Sequence, residues 1–410
     1  MRTLFVLACL LPTLGLVGWS LYRRSSLYSD PLTAGWSQAL GLAVTVESMQ
    51  NVRPAVMRLR EVGILNELGR PLARVSVAEL EQRSDGVIVS LPTLVLDEAA
   101  VSEAARLSLA WLTEPVRFPA GGAVQVDALS WGRGEEQHPL GGFRVEYVVV
   151  DAGRAIRVRR EPADADELRV RALAGPDGRR LEVELNCERG LPAELVAAAT
   201  GGMPGFGDSA TLRGSFRATA DATRQGRFAW SGVGEAVVAG VDLSGLAAVV
   251  GQRAEGEGVL RIEALGLEAG RITSARFVLS AEDGAIGRGL LERLVTVFGC
   301  RLGPAGGAAS VDRDWLAGPP VGFDEAALAV ELTRTGLTLR PAGNPVAALV
   351  TVAGQSLLEA GSGSISYDRF AWLFAPNRQG VIPAAIPASE QAVEVLSHLP
   401  NALEAPESRF

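Results

Sequence analysis

The sequence predicts a mainly β protein: an N-terminal transmembrane helix, then an elongated, twisted antiparallel sheet forming an apolar groove, with a few short helices. Three observations carry this. Short runs alternate apolar and polar residues from about Leu42 to Leu358, as in Ala43-Val44-Thr45-Val46-Glu47, Ala123-Val124-Gln125-Val126-Asp127 and Leu181-Glu182-Val183-Glu184-Leu185. Side chains on a strand alternate faces, so a period of two gives one wet and one apolar face. Turn signals at hairpin spacing separate the runs, among them Gly69-Arg70-Pro71, Gly175-Pro176-Asp177-Gly178 and Asp283-Gly284. Finally, a single greasy segment opens the chain.

That segment, Leu4 to Leu21, has no charge, follows Arg2 and is closed by Tyr22-Arg23-Arg24. At 1.5 Å per residue it spans most of a bilayer core of about 30 Å. Its exit carries the bulky Trp19 and Leu21 where a signal peptidase requires small side chains, so the expectation is an uncleaved anchor over residues 1–24. Too few apolar residues precede Cys9 for a lipoprotein signal. Arg23 and Arg24 outnumber Arg2, which by local charge counting favours keeping the body inside.

A β-rich region over 25–375 follows, with possible sub-modules 25–160, 161–310 and 311–375. Ser25–Asp30 reads as a tether and Pro31–Leu40 as an amphipathic helix, with strands continuing to Arg160. Asp151-Ala152-Gly153-Arg154 reads as a turn and Glu161–Asp166 as an acidic loop. Pro192–Thr200 has the proline start and glycine end of a short helix, and strands resume near Thr211. Ile286, Leu290, Leu294 and Val297/Phe298 recur at helical spacing. Tyr367, Phe370, Trp372 and Phe374 form an aromatic cluster, read as buried packing or a contact rim. Residues 376–410 form a Pro/Ala-rich tail.

The net charge of -8 and pI near 5.2 argue against nucleic acid as a partner. All 39 basic residues are arginines, which removes P-loop, Schiff-base and Ser-Lys chemistry. His138 and His398 are the two histidines, and neither lies in a recognisable triad or zinc pattern. The reading is therefore non-enzymatic, with no catalytic residue, metal or cofactor assigned. Pairing of Cys187 with Cys300 is left open.

Ala39-Leu40-Gly41-Leu42-Ala43-Val44-Thr45-Val46 follows the anchor. The glycine-punctuated runs Thr211–Ala218, Gly234–Leu243 and Gly258–Ile272 come later. In this order they resemble the AsmA-like and TamB-like envelope proteins of diderm bacteria. The resemblance implies an inner-membrane anchor, a body in the periplasm, and a groove that holds acyl chains of phospholipid or other lipid on its apolar face. Under it the lipid-contacting candidates are the inward aliphatics Val44, Val46, Val124, Val126, Leu181, Val183, Leu185, Leu260 and Ile262. Each of them equally fits a core beneath a second layer. Two further readings stay open: a structural or assembly component of the envelope, such as a secretion-system accessory subunit with a protein partner, and an envelope enzyme using paired carboxylates.

Overall fold

A computed structural model describes residues 26–370 and 373, apart from 67, 85, 115–120, 134–135, 151–152, 162–165, 176–177, 201–205, 223–227, 269–270, 307–317 and 343–347. The expected anchor, Cys9, Trp372, Phe374 and the tail with His398 lie outside the described residues. Among those described, no helix is long and apolar enough to cross a membrane. Among the described residues the protein is mainly β, with 66% in strands, and the chain divides into two compact units, residues 1–173 and 174–410.

Unit 1 opens with helix α1 (Ser26–Leu40), one turn earlier than Pro31 suggests; Pro31 lies inside it. Eight strands follow: β1 (Ala43–Arg53), β2 (Val56–Leu65), β3 (Pro71–Arg83), β4 (Gly86–Leu96), β5 (Gly121–Arg133), β6 (Glu136–Val150), β7 (Gly153–Glu161) and β8 (Glu167–Gly175). They pair in sequence order. The expected all-antiparallel sheet is corrected at one place: β4 and β5 are parallel, Gly86 facing Gly121 and Leu96 facing Trp131. Parallel neighbours require a crossover, and helix α2 (Glu98–Thr113) supplies it. Asp97 caps this helix through its carboxylate and the Ala99 N–H, 3.1 Å apart.

Pairing register shows how strictly the two faces divide. Across all eight strands, Gln50, Arg58, Glu79, Ser90, Gln125, Arg144, Arg159 and Glu167 lie side by side. One row over, on the opposite face, Met57, Leu80, Val89, Val124, Val145, Val158 and Leu168 lie side by side. A crease crosses the first five strands near Glu47, Glu61, Ser76, Pro92 and Asp127. On one side of it Met49, Leu59, Ala78, Leu91 and Val126 face the core; on the other, Val46, Val62, Val75, Leu94 and Leu129 do. The intervals are odd, so the alternation slips by one residue and the same face remains apolar, as at a β-bulge. Glu61 takes φ 48 at this line, and Pro92 has no N–H to give to the ladder.

Unit 2 is antiparallel. Strands β9 (Gly178–Pro192), β10 (Thr211–Ala222), β11 (Phe228–Asp242), β13 (Glu257–Glu268), β14 (Arg271–Ile286) and β16 (Val321–Thr333) pair in that order. The short β12 (Ala254–Glu255) also pairs with β14. Strand β16 is then shared by β17 (Gly336–Pro341) and β18 (Ala348–Val352). Strands β19 (Gln355–Glu359), β15 (Arg301–Leu302) and β20 (Ser364–Ile365) complete the edges. Asp283-Gly284 is not the turn expected of it. It is an irregular point inside β14, with Asp283 at φ 50. The Phe323 ring sits so close to Gly284 that a Cβ there would lie 2.4 Å from Phe323 Cζ.

Helices α3 (Ala193–Thr200), α4 (Leu243–Val249), α5 (Arg288–Phe298) and the four-residue α6 (Tyr367–Phe370) pack around this sheet. Ile286, expected in α5, ends β14 instead, and Gly287 starts the helix. Gly299 at φ 68 ends it in the left-handed conformation that glycine adopts without strain.

Candidate functional site

The candidate residues fall on one face in each unit. Val46, Val124 and Val126 belong to the apolar cluster of unit 1, and Val44 is two residues from Val46 on the same strand face. In unit 2, register puts Leu185 beside Phe216, and Ile262 between Ala236 and Phe277. It likewise puts Leu260 between Val238 and Leu279. Leu181 and Val183 share the face of Leu185 by alternation. Val126 is 3% exposed and Leu181 1%, so the protein itself covers both. Val44, Val46, Val124, Val183, Leu185, Leu260 and Ile262 are half-buried.

Helices cover part of these faces. In unit 1, Trp36 of α1 packs against the cluster of Leu59, Val75, Ala78, Leu91 and Val126. Leu40 of α1 and Leu107 of α2 pack against Leu42, Leu72 and Ala100. In unit 2, α5 contacts α6 and β20, and its Leu291 and Val297 join Ala275, Leu332, Leu337 and Leu339 in one core. Leu246 of α4 packs with Val238, Val241 and Leu260.

What the helices leave open in unit 1 is an apolar recess of about 240 Å³, lined by Val87, Val89, Val124, Leu107, Trp111 and Tyr147 among others. Its floor lies where β4 and β5 begin side by side. Gly122 is required there, because a Cβ would sit 2.4 Å from the Val87 carbonyl oxygen. The wall is rigid. Trp111 meets Tyr147 edge-on at 5.1 Å, and the Arg154 guanidinium lies 4.7 Å over the indole. Arg154, itself buried, donates to the Trp111 carbonyl at 2.7 Å, at the C-terminal end of α2 where cations are favoured. Burial pushes the Tyr147 phenol up, and a hydrogen bond with Ser108 opposes that shift. With its hydroxyl so engaged, Tyr147 offers the recess its ring.

The opposite face of unit 1 is a lattice of charge. Glu146 lies 3.0 Å from Arg144 and 3.8 Å from Arg157, and Glu167 lies 2.8 Å from Arg157 and 3.2 Å from Arg169. Such partly exposed pairs add little stability each, but they keep that face wet.

Unit 2 has a larger hollow of about 640 Å³ across β9, β10, β11, β13 and β14. Its lining mixes Glu184, Asn186, Ser215, Arg217 and Glu235 with Phe216, Val233 and Leu265, and it includes one of the candidate aliphatics, Leu185. Glu184 and Glu263 line it, but each is engaged by an arginine at 2.7 Å, Arg217 and Arg276 respectively.

Cys187 and Cys300 are both buried and not bonded to each other, and burial pushes the Cys300 thiol up. Among the described residues no group of three or more His, Cys, Asp or Glu is placed to hold a metal ion. Sequence reading missed α2, and with it Leu107, Trp111 and the buried Arg154. Asp97 ahead of Glu98-Ala99-Ala100 was the available signal. Comparison with family models, curated proteins and solved structures returns no match to this chain.

Proposed function

We propose that this chain is a membrane-anchored, non-enzymatic envelope protein that binds or transfers lipid through the apolar face of its β-sheet. Residues 4–21 serve as the anchor in the inner membrane, and the body lies in the periplasm. The observation that carries the reading is the open recess between α1 and α2. It has apolar walls, it connects with the valine row running from Val89 to Val158, and among the described residues no side chain fills it. An acyl segment laid there leaves its head group in water. Burying about six methylenes is worth roughly 5 kcal/mol before ordering costs.

The buried core that α5 shares with β14, β16 and β17 favours a second role for unit 2, as a structural or assembly element of the envelope. The test is to purify the full chain from membranes in mild detergent and to measure co-purifying lipid by mass spectrometry after gel filtration. Roughly stoichiometric phospholipid supports the reading. Lipid no higher than on an unrelated single-pass protein removes it.

A further inference from the structure

One end of the unit 1 sheet gathers the β1–β2 turn, the beginnings of β4 and β5 and the β6–β7 turn, because Arg53 pairs with Val56, Gln82 with Val87, Val87 with Gly122 and Gly122 with Tyr147. The C-terminal half of α2 reaches the same end, since Trp111 packs on Tyr147. Among the described residues eight large hydrophobic side chains are exposed, and five of them are here: Val52 at 47%, Val87 at 38%, Leu109 at 39%, Val148 at 43% and Val149 at 55%. They come from four separate segments of chain and lie beyond the ends of the covered core. Scattered exposed aliphatics are ordinary; this many at one end of one sheet mark a contact surface.

The occupant follows from the chain upstream. Helix α1 leaves the opposite end of the sheet: Leu40 packs with Leu42 and Leu72 beside the start of β1, and the Ser37 hydroxyl accepts from the Val44 N–H at 2.9 Å. Four residues earlier, Trp36 packs on the cluster of Leu59, Val75, Ala78, Leu91 and Val126, which spans both sides of the crease. Followed backwards, α1 thus runs toward the exposed end, and the uncharged run Leu4–Leu21 precedes it by only a few residues. Val87, Gly121 and Gly122 belong both to this end and to the recess lining, so the recess extends to this end.

We propose that this end of unit 1, centred on Val52, Val87, Leu109, Val148 and Val149, seats against the bilayer surface and presents the mouth of the recess to the membrane. The seating stands on exposure and chain direction. Its use as a lipid entrance rests on the function proposed above.

The experiment uses the full chain with Cys9→Ser, reconstituted in vesicles of phosphatidylethanolamine and phosphatidylglycerol, with Cys187 and Cys300 left in place because both are buried. An environment-sensitive fluorophore is attached at Val149→Cys, at Val52→Cys and, as the control at the other end of the sheet, at Leu68→Cys, where the native side chain is 79% exposed. Doxyl-labelled lipid should quench the first two labels and blue-shift their emission, while the label at 68 stays quenchable only by soluble iodide. Equal behaviour at all three sites overturns the proposal. So does a chain that does not associate with the vesicles. Shielding of the labels at 149 and 52 from both quenchers marks a protein partner and overturns the bilayer assignment. Lipid content measured on the same preparation separates the two claims. Retained lipid without quenching removes the seating alone, and quenching without retained lipid removes the lipid-binding function alone.

Discussion

In unit 2, α5 shares one buried core with residues of β14, β16 and β17. Leu291 is fully buried, and Leu332, Leu337 and Leu339 of the same core are nearly so. In unit 1, α2 runs over a face of the same composition and leaves Val87, Val89 and Val124 walling an open recess. The difference lies in how each helix is attached. Helix α5 follows the end of β14 directly, and its Leu291, Val297 and Phe298 are buried in the core that strand shares. Helix α2 must carry the chain from the end of β4 to the start of β5, the full length of the sheet. Its apolar residues are spent along that path, at Ala100, Leu107 and Trp111. A crossover helix thus covers a line, whereas a fold-back helix covers an area.

The largest effect should come from the closed region. Leu291→Ala removes a fully buried side chain and should cost about 3 kcal/mol in a urea melt; a loss under 1 kcal/mol would mean that α5 is not sealing its face. The next concerns the wall of the open region. Arg154→Ala deletes the cation over Trp111 and the bond to its carbonyl, for about 2 kcal/mol. Arg154→Lys should recover only part of this, since an ammonium does not stack as a planar guanidinium does.

Asp242 provides a smaller and pH-dependent term. Its carboxylate caps α4, accepting from the Ser244 hydroxyl at 2.6 Å and the Ser244 N–H at 2.8 Å. The Ser244 side chain, then its backbone, hold the carboxyl below its ordinary value. A depressed folded-state pKa means that the contribution is present above the unfolded-state value and is lost as pH falls through the folded one. Asp242→Ala should therefore cost about 1 kcal/mol at neutral pH. The gap from the parent should narrow on acidification below the ordinary carboxylate range; a gap constant with pH would remove the capping account.

Val87→Asp should change stability least, by about 0.5 kcal/mol or less, because the site is already exposed. Yet it should lower co-purified lipid severalfold, since a charge against acyl chains loses hydration without gaining a partner. Unchanged lipid would detach the recess from the function.

Much of the two-faced sheet was legible in the sequence. The runs at Val44/Val46, Val124/Val126 and Leu181/Val183/Leu185 are strands, and each keeps its apolar residues on one face. The crease was not legible, because at Glu47, Glu61 and Asp127 the alternation slips by one residue. A reader of period two sees there only the end of a run. Helix α2 was missed for a related reason. Ser102, Glu103 and Arg106 dilute its apolar stripe, and its role as a crossover appears only once β4 and β5 are known to be parallel. Which aliphatics stay open is a tertiary outcome. Val126 and Val124 sit two residues apart on one strand face, yet the first is buried and the second lines the recess. Nothing local to either residue distinguishes them.

The most direct test of the central claim is photo-crosslinking of the full chain, in native membranes, with a phospholipid carrying a diazirine in its acyl chain, followed by peptide mapping. The account predicts adducts on Val87, Val89, Leu107 and Tyr147 around the unit 1 recess, and none on Leu291, Leu337 or Leu339 in the unit 2 core. Adducts spread equally over both regions, or absent from the recess, would contradict it.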